Sequence, residues 1–132
     1  GMHYTSVPNI MKVIKPLFLD DLYEELSKAK GSETKLKKLL ARLYKLRIFD
    51  PACGSGNFLI IAYKELRRLE MAVFRELDAL DKQGSLRLPG IHVSQFYGIE
   101  FVFKYPVIRH QLAVLFTCFF QLEKIFETKA KK

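Results

Sequence analysis

Cysteine, long apolar runs and acidic residues are all scarce in this chain, and each scarcity excludes something. Two cysteines, Cys53 and Cys118, cannot build the multi-bridge framework of a small secreted domain, so a reducing, cytoplasmic location is expected. The longest strongly apolar stretch, Leu112 to Phe120, falls far short of the roughly 20 residues that span a bilayer, so no membrane association is expected. No charged-then-apolar leader opens the sequence, and no signal peptide is expected. His3, His92 and His110 have no ligand-like spacing with the cysteines or with each other, so no metal is expected. Fourteen acidic residues stand against 22 basic ones, a net charge of +8 that suits a polyanionic partner. The basic residues are interleaved with Glu65, Glu70 and Glu76, however, and solvated helix faces explain that pattern better than a binding stripe does. The same applies to Lys129, Lys131 and Lys132, which read as a solvated tail.

What is present is ordinary globular material: 132 residues, 49% hydrophobic and 27% charged, enough for one domain of common size and not for two cores. Ser6 and Pro8 mark a helix start, one as a cap and one with φ already set. Ile10, Ile14, Leu17, Phe18, Leu22 and Leu26 then recur at helical spacing, and Pro16 must break or kink the run. The pattern predicts helices near 7–14 and 17–29. After Gly31-Ser32, Leu36, Leu39, Leu40 and Leu43 predict a third helix near 33–45. Leu46 to Phe49 reads as a short buried strand, since Pro51 disfavours helix at Asp50. Phe58, Ala62, Leu66, Leu69, Val73, Leu77 and Leu80 step by three and four through a long helix that Gly84-Ser85 should end. Residues 85–94 read as a loop and Gln95 to Ile99 as a second strand. Beyond Pro106 an apolar helix is expected, from Val107 to Phe120.

The informative stretch is Phe49-Asp50-Pro51-Ala52-Cys53-Gly54-Ser55-Gly56-Asn57-Phe58, between a predicted strand and a predicted helix. In that context a glycine-rich turn gains physical meaning. Gly54 can take a positive φ, Gly56 lets a ligand approach the main chain, and the amides opening the next helix face the crevice. Glu100, ending the next strand, could accept both hydroxyls of a ribose. A tight turn with no ligand is the alternative.

Residues Asp50 to Phe58 resemble the S-adenosylmethionine-binding motif of adenine-N6 DNA methyltransferases of restriction-modification systems. The likeness runs on through residues 59–70, similar to the helix of large type II restriction enzyme/methylase polypeptides. Gln95-Phe96-Tyr97-Gly98-Ile99-Glu100 resembles the second cofactor motif, and His3-Tyr4-Thr5-Ser6 the upstream Tyr-Thr-Pro element, with Ser6 in place of the usual proline. The resemblance implies an α/β, partial Rossmann-like methyltransferase fold, helix-rich with few parallel strands. A helical part at 1–47 would precede a βαβ-like cofactor part at 48–132. It further implies S-adenosylmethionine as cofactor. Asp50, Ala52, Gly54 and Gly56 would surround its methionine end, with Ser55 and Asn57 beside the turn. Cys53 would line the pocket by its backbone, or be no more than a small buried thiol. Glu100 would accept the ribose hydroxyls, Phe101 pack on adenine, and Tyr4 and Thr5 cap the methionine end.

The departures shape the functional expectation. Asp50 and Glu100 lie fifty positions apart, where the simple dinucleotide fingerprint has about 20. The Asn-Pro-Pro-Tyr or Asn-Pro-Pro-Phe motif that receives the flipped adenine is absent, so no catalytic residue is assigned. Only 32 residues follow Glu100, too few for the remaining strands of a doubly wound sheet. The expectation is the cofactor-binding N-terminal portion of a DNA adenine-N6 methyltransferase, shortened by truncation, frameshift or design, and not catalytic alone. DNA is the partner expected of the parent enzyme. The alternatives are a folded, non-catalytic remnant that self-associates as a homodimer, or one half of a split methylase completed by a partner chain.

Overall fold

The structure is a computed structural model, and it describes residues 6–100 and 118–119. Helix α1 (Val7–Ile14) starts after Ser6, whose backbone is extended, with Pro8 in the first turn. The break or kink expected at Pro16 takes the form of a widened turn. Lys15–Leu19 forms a π-helical turn, and α2 (Asp20–Ala29) continues from it with helical backbone at the junctions. Proline lacks the amide that an α-helical turn would use and crowds the preceding turn, and the wider turn absorbs both effects. The wider turn also rephases the apolar stripe. The buried residues are Ile10, Ile14, Leu19, Leu22, Leu26 and Ala29, with a step of five across the π turn. Leu17, expected inside, is instead 65% exposed, and Leu19 takes its place in the core.

Helix α3 (Glu33–Lys45) lies where its stripe predicts, with Ser32 Oγ accepting from the Lys35 amide at 3.4 Å. Leu36, Leu39 and Leu43 are completely buried. Strand β1 is Ile48–Asp50, two residues later than expected, because Leu46 serves as the C-cap of α3. It is not a buried strand on both faces: Ile48 packs against the core while Phe49 is exposed. Helix α4 (Asn57–Leu80) buries Leu59, Ala62, Leu66, Leu69, Val73 and Leu77 along one side. It stops at Leu80, before Gly84, because the Asp81 carboxylate accepts the amides of Gln83 and Ser85 and draws the chain out of helix.

A 3-10 turn at Val93–Gln95 leads into β2 (Phe96–Glu100). Strands β1 and β2 are parallel, with Ile48 beside Phe96, Phe49 beside Tyr97 and Asp50 beside Gly98. Strand β3 (Cys118–Phe119) pairs antiparallel with the end of β2, Ile99 beside Phe119 and Glu100 beside Cys118. The end of the helix expected over Val107–Phe120 is thus strand, satisfying backbone groups on the second edge of β2; the rest of that expectation lies outside the described residues. The described residues are therefore α/β and helix-rich, with one parallel strand pair among them. The core lies on the side of the sheet carrying Ile48 and Phe96, while Phe49 and Tyr97 point the other way and are exposed. No helix among the described residues is long and apolar enough to cross a membrane.

One surface expectation fails. Glu70 is not a solvated helix charge but is completely buried on α4. It stands four residues after Leu66 and three before Val73, within the apolar stripe. Its Oε1 accepts the amides of Gly90 at 2.5 Å and Ile91 at 3.2 Å, and its Oε2 pairs with Arg67. These partners replace the water that a carboxylate loses on burial.

Candidate functional site

The turn between β1 and α4 is built by its own polar groups. Asp50 Oδ1 accepts the Ala52 amide at 3.0 Å, and the Cys53 carbonyl accepts the Gly56 amide at 2.7 Å. Gly54 and Gly56 have φ of +50° and +78°, conformations that side-chain-bearing residues rarely adopt. Gly56 is the N-cap of α4, with no side chain capping that end and no acidic residue in the first turn. The positive end of the α4 dipole therefore faces the turn.

Two contacts fix this turn against β2. The Cys53 amide donates to the Ile99 carbonyl at 2.9 Å. Gly98 lies so close to Cys53 that a Cβ there would sit 2.7 Å from its Sγ, 2.8 Å from its Cβ and 3.0 Å from Leu59 Cδ1. Glycine at 98 is thus what lets the turn and the strand meet.

A cavity of about 220 Å³ opens over the turn. Asp50, Ala52, Cys53, Gly54, Ser55, Asn57 and Phe58 line one side, and Asn9, Ile10 and Val13 of α1 line the other. The structure thus brings together seven residues of the turn segment, six of them expected site residues and Phe58 beside them. Gly56, also expected, is buried beneath the turn. Glu100 is the last residue of β2, two positions beyond the Gly98 that pairs with Asp50. Tyr4, Thr5 and Phe101 lie outside the described residues. Sequence reasoning missed the wall contributed by α1. The available signal was that Asn9 and Val13, four apart, flank the buried Ile10 on one helix face.

A larger depression, about 420 Å³, lies between α2 and α3. Its Arg42 is held by Asp21 at 2.8 Å and by Glu25, so that guanidinium is already committed to two carboxylates. Among the described residues no cluster of His, Cys, Asp and Glu could hold a metal.

A parallel strand, a glycine turn with two left-handed residues, an uncapped helix start and a cavity above them form a compact site of the kind found in nucleotide-cofactor enzymes. Comparison with known proteins narrows that class to one family. The family model for the MmeI DNA-methyltransferase domain matches residues 26–132, and the chain belongs to that family. It is 60% identical over 100 residues to DNA methyltransferase A of Bacillus subtilis strain 168, covering 76% of this chain and 11% of the relative. It is 35% identical over 86 residues to a putative type II restriction enzyme and methyltransferase of Methanocaldococcus jannaschii, covering 62% of this chain and 7% of the relative. Among solved structures it is similar to the type IIL restriction-modification enzyme MmeI in complex with DNA, with a TM-score of 0.68 and 48% identity. That likeness covers 76% of this chain and 14% of the MmeI chain. The chain therefore spans only about a tenth of the length of the relatives it matches, and it carries part of a restriction-modification methyltransferase domain.

Proposed function

We propose that this chain is the S-adenosylmethionine-binding portion of a DNA adenine-N6 methyltransferase, with a partial Rossmann-like fold. The helices of residues 1–47 would support a cofactor part in residues 48–132. The observation that carries the reading is the cavity over the Asp50–Asn57 turn, faced by the uncapped start of α4. Bound there, S-adenosylmethionine would supply an electrophilic methyl group on its sulfonium. Asp50, whose Oδ1 already holds the turn together, would offer Oδ2 to the ligand's ammonium. The amides beyond Gly56 suit the ligand's carboxylate, while Ala52, Cys53, Gly54 and Ser55 let it lie close to the main chain and Asn57 borders it. Glu100 would receive the ribose hydroxyls, Phe101 the adenine, and Tyr4 and Thr5 the methionine end.

Methyl transfer needs groups that receive the adenine, and this chain has no Asn-Pro-Pro-Tyr or Asn-Pro-Pro-Phe segment to provide them. In the parent enzyme the partner is DNA. The chain alone binds cofactor without transferring methyl groups. Calorimetric titration with S-adenosylhomocysteine tests this: saturable heat is expected, and folded protein giving none at millimolar ligand overturns it.

A second reading is favoured by one specific observation. Phe49 and Tyr97 are neighbours in register on the outer face of the sheet, and they are 53% and 40% exposed. Parallel sheets usually have both faces covered. Self-association, or completion by a partner methylase chain, would cover them. Light scattering showing a strict monomer at high concentration would reject the homodimer.

A further inference from the structure

We propose that Gln95 is a positioning residue: its buried carboxamide fixes where β2 stands along β1, and so how the Glu100 end of β2 faces the Asp50 turn. Its effect on ligand affinity rests on the cofactor reading above; its effect on strand position does not.

The side chain of Gln95 is buried, and its amide makes three bonds to distant or turn-forming groups. Nε2 donates to the Leu43 carbonyl at 2.9 Å and to the Leu46 carbonyl at 3.0 Å. Oε1 accepts the His92 amide at 2.8 Å. The orientation is unambiguous, since two carbonyls can be met only by the NH2 group and an amide N–H only by the oxygen. The last carbonyls of a helix lack i+4 donors. Leu43 O accepts the Leu46 amide at 3.3 Å and Leu46 O accepts Arg47 Nη1 at 3.0 Å, and Gln95 gives each a second donor from just before β2.

The geometry links the starts of both strands. Leu46 is two residues before Ile48, Gln95 is one residue before Phe96, and Ile48 and Phe96 are register partners. Apolar patterning alone cannot hold that register. A slip of one residue would turn Phe96 outward and Tyr97 inward, and burial opposes it strongly. A slip of two keeps every side chain on its own face. It would nonetheless carry the end of β2 roughly 7 Å along the strand axis, at about 3.3 Å per residue. The Phe96–Tyr63 ring contact and the Glu70 bonds to residues 90–91 oppose it. At the starting end the Gln95 Nε2 adds two directional contacts to the end of α3, while the His92 bond closes the turn that carries Gln95. At the other end the Cys53–Ile99 bond and the Gly98–Cys53 contact exist only in the observed register.

The decisive measurement is amide hydrogen exchange on the full chain carrying Gln95→Met, which keeps length and shape but removes all three bonds. The Cys53 amide should exchange about tenfold faster or more, while Leu66 and Leu69 in α4 keep their protection. Native protection at Cys53, or uniform loss that includes α4, overturns the proposal. Should Gln95→Met fail to fold, Gln95→Asn keeps a neutral carboxamide one methylene too short to reach both the Leu43 and Leu46 carbonyls, and the same comparison decides. Titration adds a ligand readout. Gln95→Met should weaken S-adenosylhomocysteine binding about tenfold but leave a 2′,3′-dideoxy counterpart unaffected, the non-additivity expected if Gln95 acts through the ribose contact. Equal losses for both ligands count against it. Absence of any binding by the unsubstituted chain defeats the cofactor reading, and Cys53 exchange still decides the positioning claim.

Discussion

The amide of Cys53 donates to the carbonyl of Ile99 at 2.9 Å, joining the glycine turn after β1 to the end of β2. Fifty positions of sequence separate Asp50 from Glu100, and this bond holds the segments that carry them together. It is possible only because Gly98, the residue before Ile99, leaves room for the Cys53 side chain. Replacing Gly98 by alanine forces a Cβ to within 2.8 Å of Cys53 Cβ, and part of that obstacle is too near the backbone to swing aside. Gly98→Ala should cost about 1–3 kcal/mol in urea unfolding and weaken S-adenosylhomocysteine binding as the turn moves off β2. An unchanged midpoint would show that the turn can retreat freely.

Asp50 allows structure to be separated from ligand contact. Asparagine keeps an acceptor for the Ala52 amide, whereas alanine leaves that amide without it. Asp50→Asn should stay within about 0.5 kcal/mol of native stability, and Asp50→Ala should lose about 1 kcal/mol, the usual net worth of one hydrogen bond. Both should lose ligand affinity if the carboxylate meets an ammonium. Native affinity in Asp50→Asn would remove that role.

Glu70 fastens residues 90–91 to α4 from within the core. Glu70→Ala leaves two amides and Arg67 without their acceptor, and a cost of about 3 kcal/mol or more in urea unfolding is expected. Glu70→Gln keeps one carbonyl oxygen for the amides and should cost less. Equal losses would mean that the charge and second oxygen facing Arg67, not the acceptor for the two amides, are what Glu70 contributes.

Tyr44 gives the fold an alkaline limit. Burial first, then the neighbouring Glu70 charge and a hydrogen bond to it, push the phenol up from 10.0 to about 12. The folded state therefore holds this proton more tightly than the unfolded chain does. Its stabilisation is fully present below pH 10 and is lost as pH rises through about 12. Urea midpoints should fall between these limits in the native chain, and less in Tyr44→Phe, which has no proton to lose.

The legible parts of the sequence are those whose signal is periodic or conformational. Leu36, Leu39 and Leu43 announced α3, the three-and-four stepping from Ala62 to Leu77 announced α4, and Gly54 and Gly56 marked the turn that now bounds the cavity. What escaped were polar residues acting as core. Glu70 reads as one more surface charge, and the Gln95 amide has bonding partners 49 and 52 residues away that no local pattern reveals. The α1 wall escaped for a similar reason: the helix was expected, but not that its Asn9–Val13 face meets the Asp50 turn. Pro16 marks where the helical run is disturbed, but proline alone does not say whether the chain breaks, kinks or widens its coil.

That widened coil works as an angular gauge. Because the π turn at Lys15–Leu19 accommodates a five-residue step, α1 and α2 share one rod while meeting different neighbours: α1 reaches the cavity and α2 packs on α3. Winding the same residues as ordinary α-helix, with none removed, would rotate one half against the other by about 100°. Asn9 and Val13 would swing off the Asp50 turn while the α2–α3 packing stayed as it was. Where the α1 wall stands above the glycine turn is thus set by how widely the chain coils around Pro16.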